Sequence, residues 1–144
     1  MRKRVCMSLL ALSYLVSMAA GAPASAKSVD AMKAQVPFDF HVGNTVVPAG
    51  EYTIRTLNAD EAALRISDGR HSASINTNTA QGRAGGARLV FRRYGDQYFL
   101  AAVWGAGEAG RALPVSKRER SLRKELRAAR GGMDDAETVV LALR

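Results

Sequence analysis

The sequence predicts a mainly β protein, a small antiparallel barrel or sandwich of about seven strands with one late basic α-helix. Three observations carry this expectation. Apolar and polar residues alternate through most of the chain from Val36 to Trp104, the period of two that marks half-buried strands. Turn-forming pairs such as Asp68-Gly69 and Gly95-Asp96 stand between the alternating runs at hairpin spacing. After Leu113 the period changes once, to that of an amphipathic helix.

Residues 27–35 are small and polar and read as a loose lead-in. Val36, Phe38, Phe40 and Val42 then alternate with Pro37, Asp39 and His41 as a first strand. Gly43-Asn44 turns the chain, and Pro48-Ala49-Gly50 punctuates it before a second strand with Tyr52 and Ile54 inward. Ala63 to Ser67 is a third, with Leu64 and Ile66 inward. It joins His71 to Thr77 through Ser67-Asp68-Gly69-Arg70, where Asp-Gly readily takes the positive φ of a tight turn.

Beyond the Gly-rich stretch 81–86, Arg88 to Tyr94 and Gln97 to Trp104 form the strongest hairpin. The second of these strands is apolar on both faces, which predicts a central position. Gly105 to Gly110 reads as a mobile connection. Ser116-Lys117-Arg118-Glu119 fits a capping box, and the helix it opens runs to about Arg130 before Gly131-Gly132. Glu137 to Arg144 closes the chain as a last strand with Val139, Leu141 and Leu143 on one face. The expected division is a leader over 1–26, a β-domain over 27–113, a basic helix over 114–132 and a closing strand of the same domain over 133–144.

The leader rests on three features. Arg2, Lys3 and Arg4 form a positive start, Val5 to Ala20 is mostly apolar, and Ala24-Ser25-Ala26 supplies small residues for cleavage before Lys27. The apolar run is about 16 residues, short of the roughly 20 that a membrane span needs. The expectation is a periplasmic or extracellular protein with no transmembrane span after cleavage. Cys6, the one cysteine, falls inside the leader, so the mature chain is expected to be free of thiols and disulfides.

Val36-Pro37-Phe38-Asp39-Phe40-His41-Val42-Gly43, followed by Val47-Pro48-Ala49-Gly50-Glu51-Tyr52, resembles the opening of a family of small exported bacterial proteins. Leu89-Val90-Phe91, Arg93-Tyr94-Gly95, Tyr98-Phe99-Leu100, Gly110-Arg111, Leu113-Pro114 and the basic helix extend the likeness over nearly all of the mature chain. That family has no assigned activity. The resemblance implies export and a β-rich fold, and it transfers no site residues.

Residues that could carry chemistry are few. His41 lies beside Asp39 on one strand face, an Asp-x-His arrangement that could be a base and its orienter in a small envelope hydrolase. No nucleophile stands at a recognisable spacing, so two polar residues on a solvated face are the preferred reading. His71 follows a turn and reads as a surface residue. With two separated histidines and no mature cysteine, neither a metal site nor any other cofactor is expected. The pairs Asp60-Glu61 and Asp134-Asp135 are loop neighbours, unlike carboxylates facing across a cleft. Gly82, Gly85 and Gly86 lack the Lys-Ser or Lys-Thr and the helix of a phosphate loop. Arg92, Arg93, Tyr94, Tyr98 and Phe99 could form a stacking groove for single strands, but cross-strand packing explains them as well.

The helix stands out. The chain is formally +8, yet residues 114–130 hold seven basic and two acidic residues, while 27–113 hold ten and eight. Arg120, Arg123, Lys124 and Arg127 fall on one side, flanked by Lys117 and Arg130. Val115, Leu122, Leu126 and Ala129 form a narrow stripe opposite, expected to dock the helix on the β-domain. The sequence therefore favours a non-enzymatic binding or structural protein of the cell envelope. Its basic helix would contact anionic lipid headgroups, acidic polysaccharide or an acidic protein; export disfavours nucleic acid. The absence of Trp, Phe and Tyr from the helix disfavours deep membrane insertion.

Overall fold

A computed structural model describes residues 31–57, 62–83, 85–106, 109–131 and 136–143. The expected leader and the carboxylate pairs Asp60-Glu61 and Asp134-Asp135 lie outside the described residues. The elements follow in chain order as β1 Met32–Val36, β2 Phe40–Val42, β3 Thr45–Val47, β4 Gly50–Thr56, β5 Ala63–Ser67 and β6 Ser72–Asn76. They continue as β7 Asn78–Gln81, β8 Arg88–Tyr94, β9 Gln97–Trp104, β10 Ala109–Ala112, α1 Lys117–Arg130 and β11 Glu137–Ala142.

These strands make two sheets in a sandwich-like arrangement. One runs β1-β4-β5-β6; the other runs β11-β8-β9-β10-β7, with β2 and β3 attached beside β9. The alternation read from the sequence fills the space between the sheets. Val36, Tyr52, Ile54, Leu64 and Ile66 come from the first sheet, and Phe40, Leu89, Phe91, Leu100 and Val103 from the second. Each fully buried side chain of this kind contributes roughly 1.5–3 kcal/mol. The aromatic centre is ordered edge to face, with the Phe40 ring centroid 5.6 Å from Tyr52 and 5.5 Å from Phe91.

β9 is central, as its two apolar faces predict. It pairs with β8 on one side and with β2 and β10 on the other. The β2–β9 pairing is parallel, so the second sheet is mixed where an antiparallel one was expected. A register shift between Val90 and Phe91 leaves Ala101 of β9 as the extra residue of a bulge.

The strand content is larger than expected. The lead-in contains β1, which pairs with β4 from Met32↔Ile54 to Val36↔Gly50. The single strand expected from Val36 to Val42 divides, because Pro37 has no N–H for a ladder and Asp39 turns its carboxylate to the Ala49 N–H at 2.8 Å. β3, β7 and β10 were not expected. They are three or four residues long; β7 and β10 pair with each other across roughly thirty residues, while β3 is a three-residue hairpin partner of β2. The connection expected to be mobile ends in β10 instead. There Gly110 lies under the Trp104 ring, where a Cβ would come within 2.5 Å of ring atoms, and Gly82 makes a similar approach at 2.7 Å. Arg88 completes the cluster, its guanidinium carbon 4.8 Å from the ring centroid.

Candidate functional site

The helix begins and ends as the sequence says. Ser116 caps it, its Oγ accepting from the Glu119 N–H at 3.1 Å. Gly131 stops it in the left-handed region at φ 68°, where glycine avoids a Cβ clash. The Glu119 carboxylate turns to the sheet rather than completing the capping box. Arg92 Nε and Nη2 donate to its two oxygens at 2.5 and 3.0 Å, and the Tyr94 hydroxyl donates to Oε1 at 3.0 Å.

Glu119 is 1% exposed and the only fully buried residue of α1. A buried carboxylate is tolerated because a bidentate guanidinium and a phenol satisfy both oxygens. Burial, followed by the Glu119 charge, pushes the Tyr94 phenol up to about 12, so it remains a donor across the neutral range.

This attachment corrects the expected docking stripe. Leu122 and Leu126 are half-buried and do face the sheet, but Ala129 is exposed and Val115 is only half-buried. The sheet-facing arc is Glu119 with Leu122, Arg123 and Leu126 beside it. Of the six basic residues expected to make the contact surface, Lys117, Arg120, Lys124, Arg127 and Arg130 are exposed and Arg123 is half-buried. Arg118 is exposed as well, and it reaches back to the domain: its N–H donates to Asn44 Oδ1 at 3.4 Å and its guanidinium to Gln97 Oε1 at 3.5 Å.

Glu119 and Glu125 are the two acidic residues of the helix. Burying Glu119 against Arg92 removes its charge from the exposed face, which is therefore more basic than the sequence count suggests.

His41 is also corrected. It points away from the main core, as the alternation requires, but it is 7% exposed and not on a solvated face. Its ring stacks on Phe99 at 4.5 Å, Phe99 meets Tyr94 edge to face at 5.8 Å, and Tyr94 holds Glu119. Strand registers place Thr138, Arg92, Phe99, His41 and Val46 in one row across five strands, and the first turn of α1 is bound to that row through Arg92. His41 Nδ1 is buried without a hydrogen-bond partner. Desolvation, then the Arg118 charge, lowers its pKa below the ordinary 6.5.

Asp39 and His41 are not joined into a catalytic pair. The Asp39 carboxylate accepts from the Ala49 backbone, and the His41 ring is held against Phe99. A cleft of about 380 Å³ opens elsewhere, lined by Lys33, Ala34, Gln35 and Glu51 of the first sheet and by Ala142 and Leu143. Neither Asp39 nor His41 lines it.

His71 is on the surface, as expected, with Nδ1 2.9 Å from Asp68 Oδ2. That bond and the backbone N–H groups of His71 and Arg70 hold the Asp68 carboxyl well below its usual range. The cation–aromatic hairpin is absorbed by structure: Arg92 pairs with Glu119, Arg93 lies 5.5 Å from the Tyr98 ring, and Phe99 is buried. Among the described residues, no group of three His, Cys, Asp or Glu could hold a metal ion, and no helix is long and apolar enough to cross a membrane.

Sequence signals for this arrangement were partial. The capping pattern located Glu119 but assigned its carboxylate to the helix backbone, because nothing local says that Arg92, 27 residues earlier, will stand opposite. No family model matches the chain, and no curated protein or solved structure is significantly similar to it.

Proposed function

We propose that the protein is an exported, non-enzymatic binding or structural component of the bacterial cell envelope that contacts anionic surfaces through α1. The observation that carries this reading is the burial of Glu119. One carboxylate is spent on docking the helix, and Lys117, Arg120, Lys124, Arg127 and Arg130 stay exposed beside the single exposed carboxylate of Glu125. Export rests on the leader pattern of residues 1–26 and on the family resemblance.

Basic side chains contribute on the order of 1 kcal/mol each near an anionic lipid surface. Four of them are therefore enough to decide between bound and free. Attraction of this kind weakens as salt shortens the Debye length, about 10 Å at 0.1 M.

The test replaces the exposed Lys117, Arg120, Lys124 and Arg127 together with Gln, which keeps helix propensity. Sedimentation with phosphatidylglycerol-containing vesicles, or with an acidic polysaccharide, should show salt-sensitive binding for the parent and none for the variant. Equal binding by both proteins, or no binding by the parent, removes the helix from the function.

A further inference from the structure

We propose that His41 makes the docking of α1 sensitive to protons: protonation of its imidazole in mild acid releases the first helical turn from the sheet. This is a regulation of the basic helix and rests on the anionic-surface reading above.

The geometry carries the argument. His41 sits in the cross-strand row to which the helix is tied, one ring away from Tyr94 and two from Glu119. Its neighbours suit a neutral ring. From β9 it meets the flat face of Phe99, and from β3 its cross-strand partner is Val46. From α1, Arg118 is bonded to Asn44 just beyond β2 and to Gln97 at the start of β9, which brings its charge to bear on the ring. Across Phe99, on β8, the Arg92 cation is already matched to Glu119.

The buried Nδ1 has no partner. In the neutral ring this costs an unmade acceptor bond. In the protonated ring it becomes a charged donor with nothing to donate to, next to a second cation. Lifting the first turn carries the Arg118 charge away from the ring. Protonation is thus easier in the open state than in the closed one, and by linkage acid favours opening.

The sign agrees with the depressed pKa. The closed arrangement is fully stable above the ordinary imidazole range and loses stability as pH falls below 6.5. Opening also exposes Leu122 and Leu126, which are half-buried in the docked helix. The released segment is then an amphipathic helix with a basic face and a leucine edge, better suited to an anionic bilayer than the docked one.

The experiment is hydrogen exchange of the intact protein between pH 7.5 and 5.0, without vesicles, with rates corrected for intrinsic pH dependence. Protection of the α1 amides should fall on acidification while β8 and β9 stay protected. The fall should be at most about tenfold for each pH unit, the limit for a single linked proton. His41→Phe keeps the stacked ring and removes the proton site, so its α1 protection should fall less than the parent's. Arg118→Gln keeps His41 and removes the facing cation, and it should blunt the response without abolishing it, which keeps the test available if His41→Phe does not fold.

Equal acid responses in the parent and both variants overturn the proposal. So does loss of protection that runs uniformly through β8, β9 and α1, which would be global unfolding. Vesicle binding at pH 7.5 separately tests the underlying reading: its absence there with a normal acid response sinks the function and leaves the latch.

Discussion

The two faces of β8 meet different chemistry. Inward, Leu89 and Phe91 are buried among Phe40, Leu100 and Val103, where attraction is proportional to area and has no direction. Outward, Arg92 and Tyr94 meet Glu119 through three hydrogen bonds whose lengths and angles must all be met together. The inward face has partners from both sheets, so the loss of one leaves many others. The outward face ties a fourteen-residue helix through its first turn, where Glu119 is the one fully buried side chain. The domain and its helix are therefore separable in energy although they share a strand.

The largest test of that contrast is Phe91→Ala. Truncating a fully buried Phe at the centre of the sandwich should cost about 3–5 kcal/mol. The loss should appear in chemical denaturation as a lower midpoint for sheet and helix together, because both faces of β8 are lost at once. A helix that outlasts the sheet would mean the outward face does not depend on the core.

Glu119→Ala should be smaller and local. It leaves the Arg92 guanidinium and the Tyr94 hydroxyl without their partner, a loss of about 2–3 kcal/mol given that Arg92 is a quarter exposed. Hydrogen exchange should show α1 amides losing protection while β4 and β5 keep theirs. Replacing the pair with apolar residues, Arg92→Met with Glu119→Leu, sharpens the comparison. Such swaps are often neutral or stabilising, so recovery of stability would assign the pair to fixing the position of the helix rather than to strength.

Gly110→Ala probes the same outer face away from the helix. A Cβ there meets the Trp104 ring, and such overpacking costs about 1–3 kcal/mol. Trp104 is the one tryptophan of the chain, so its emission should shift to the red as the ring is displaced. Unchanged emission would show that the ring has room to move.

The smallest effect is on titration. The Tyr94 phenol is raised to about 12 in the folded protein, against an ordinary 10. Its contribution to stability is complete below pH 10 and is lost as pH rises from 10 through about 12, because the unfolded chain releases that proton first. Phenolate absorbance should show this tyrosine ionising above the ordinary phenol range, and Glu119→Gln should lower its midpoint.

Much of the architecture was legible because it is written in local periods. Alternation located β4, β5, β8 and β9 to within a residue or two, since a strand with one buried face must alternate. The helix was legible because its cap and its terminal glycine are local chemistry. β1, β7 and β10 were not, because a short strand with few large apolar residues is made by the partner that pairs with it, and β3, at three residues, is too short to show a period. Gly110, for example, has no side chain to announce a strand and is placed by Trp104 and Ala80.

The candidate site divides along the same line. The sequence by itself determined the basic face of α1, because side-chain direction on a helix follows from spacing alone. Only the tertiary structure decided how that face is oriented. Glu119 and Arg92 are far apart in sequence, and Asp39 and His41, two residues apart, take unrelated roles. Charge and period are properties of a segment, whereas burial of a carboxylate or an imidazole depends on which distant residue arrives to cover it.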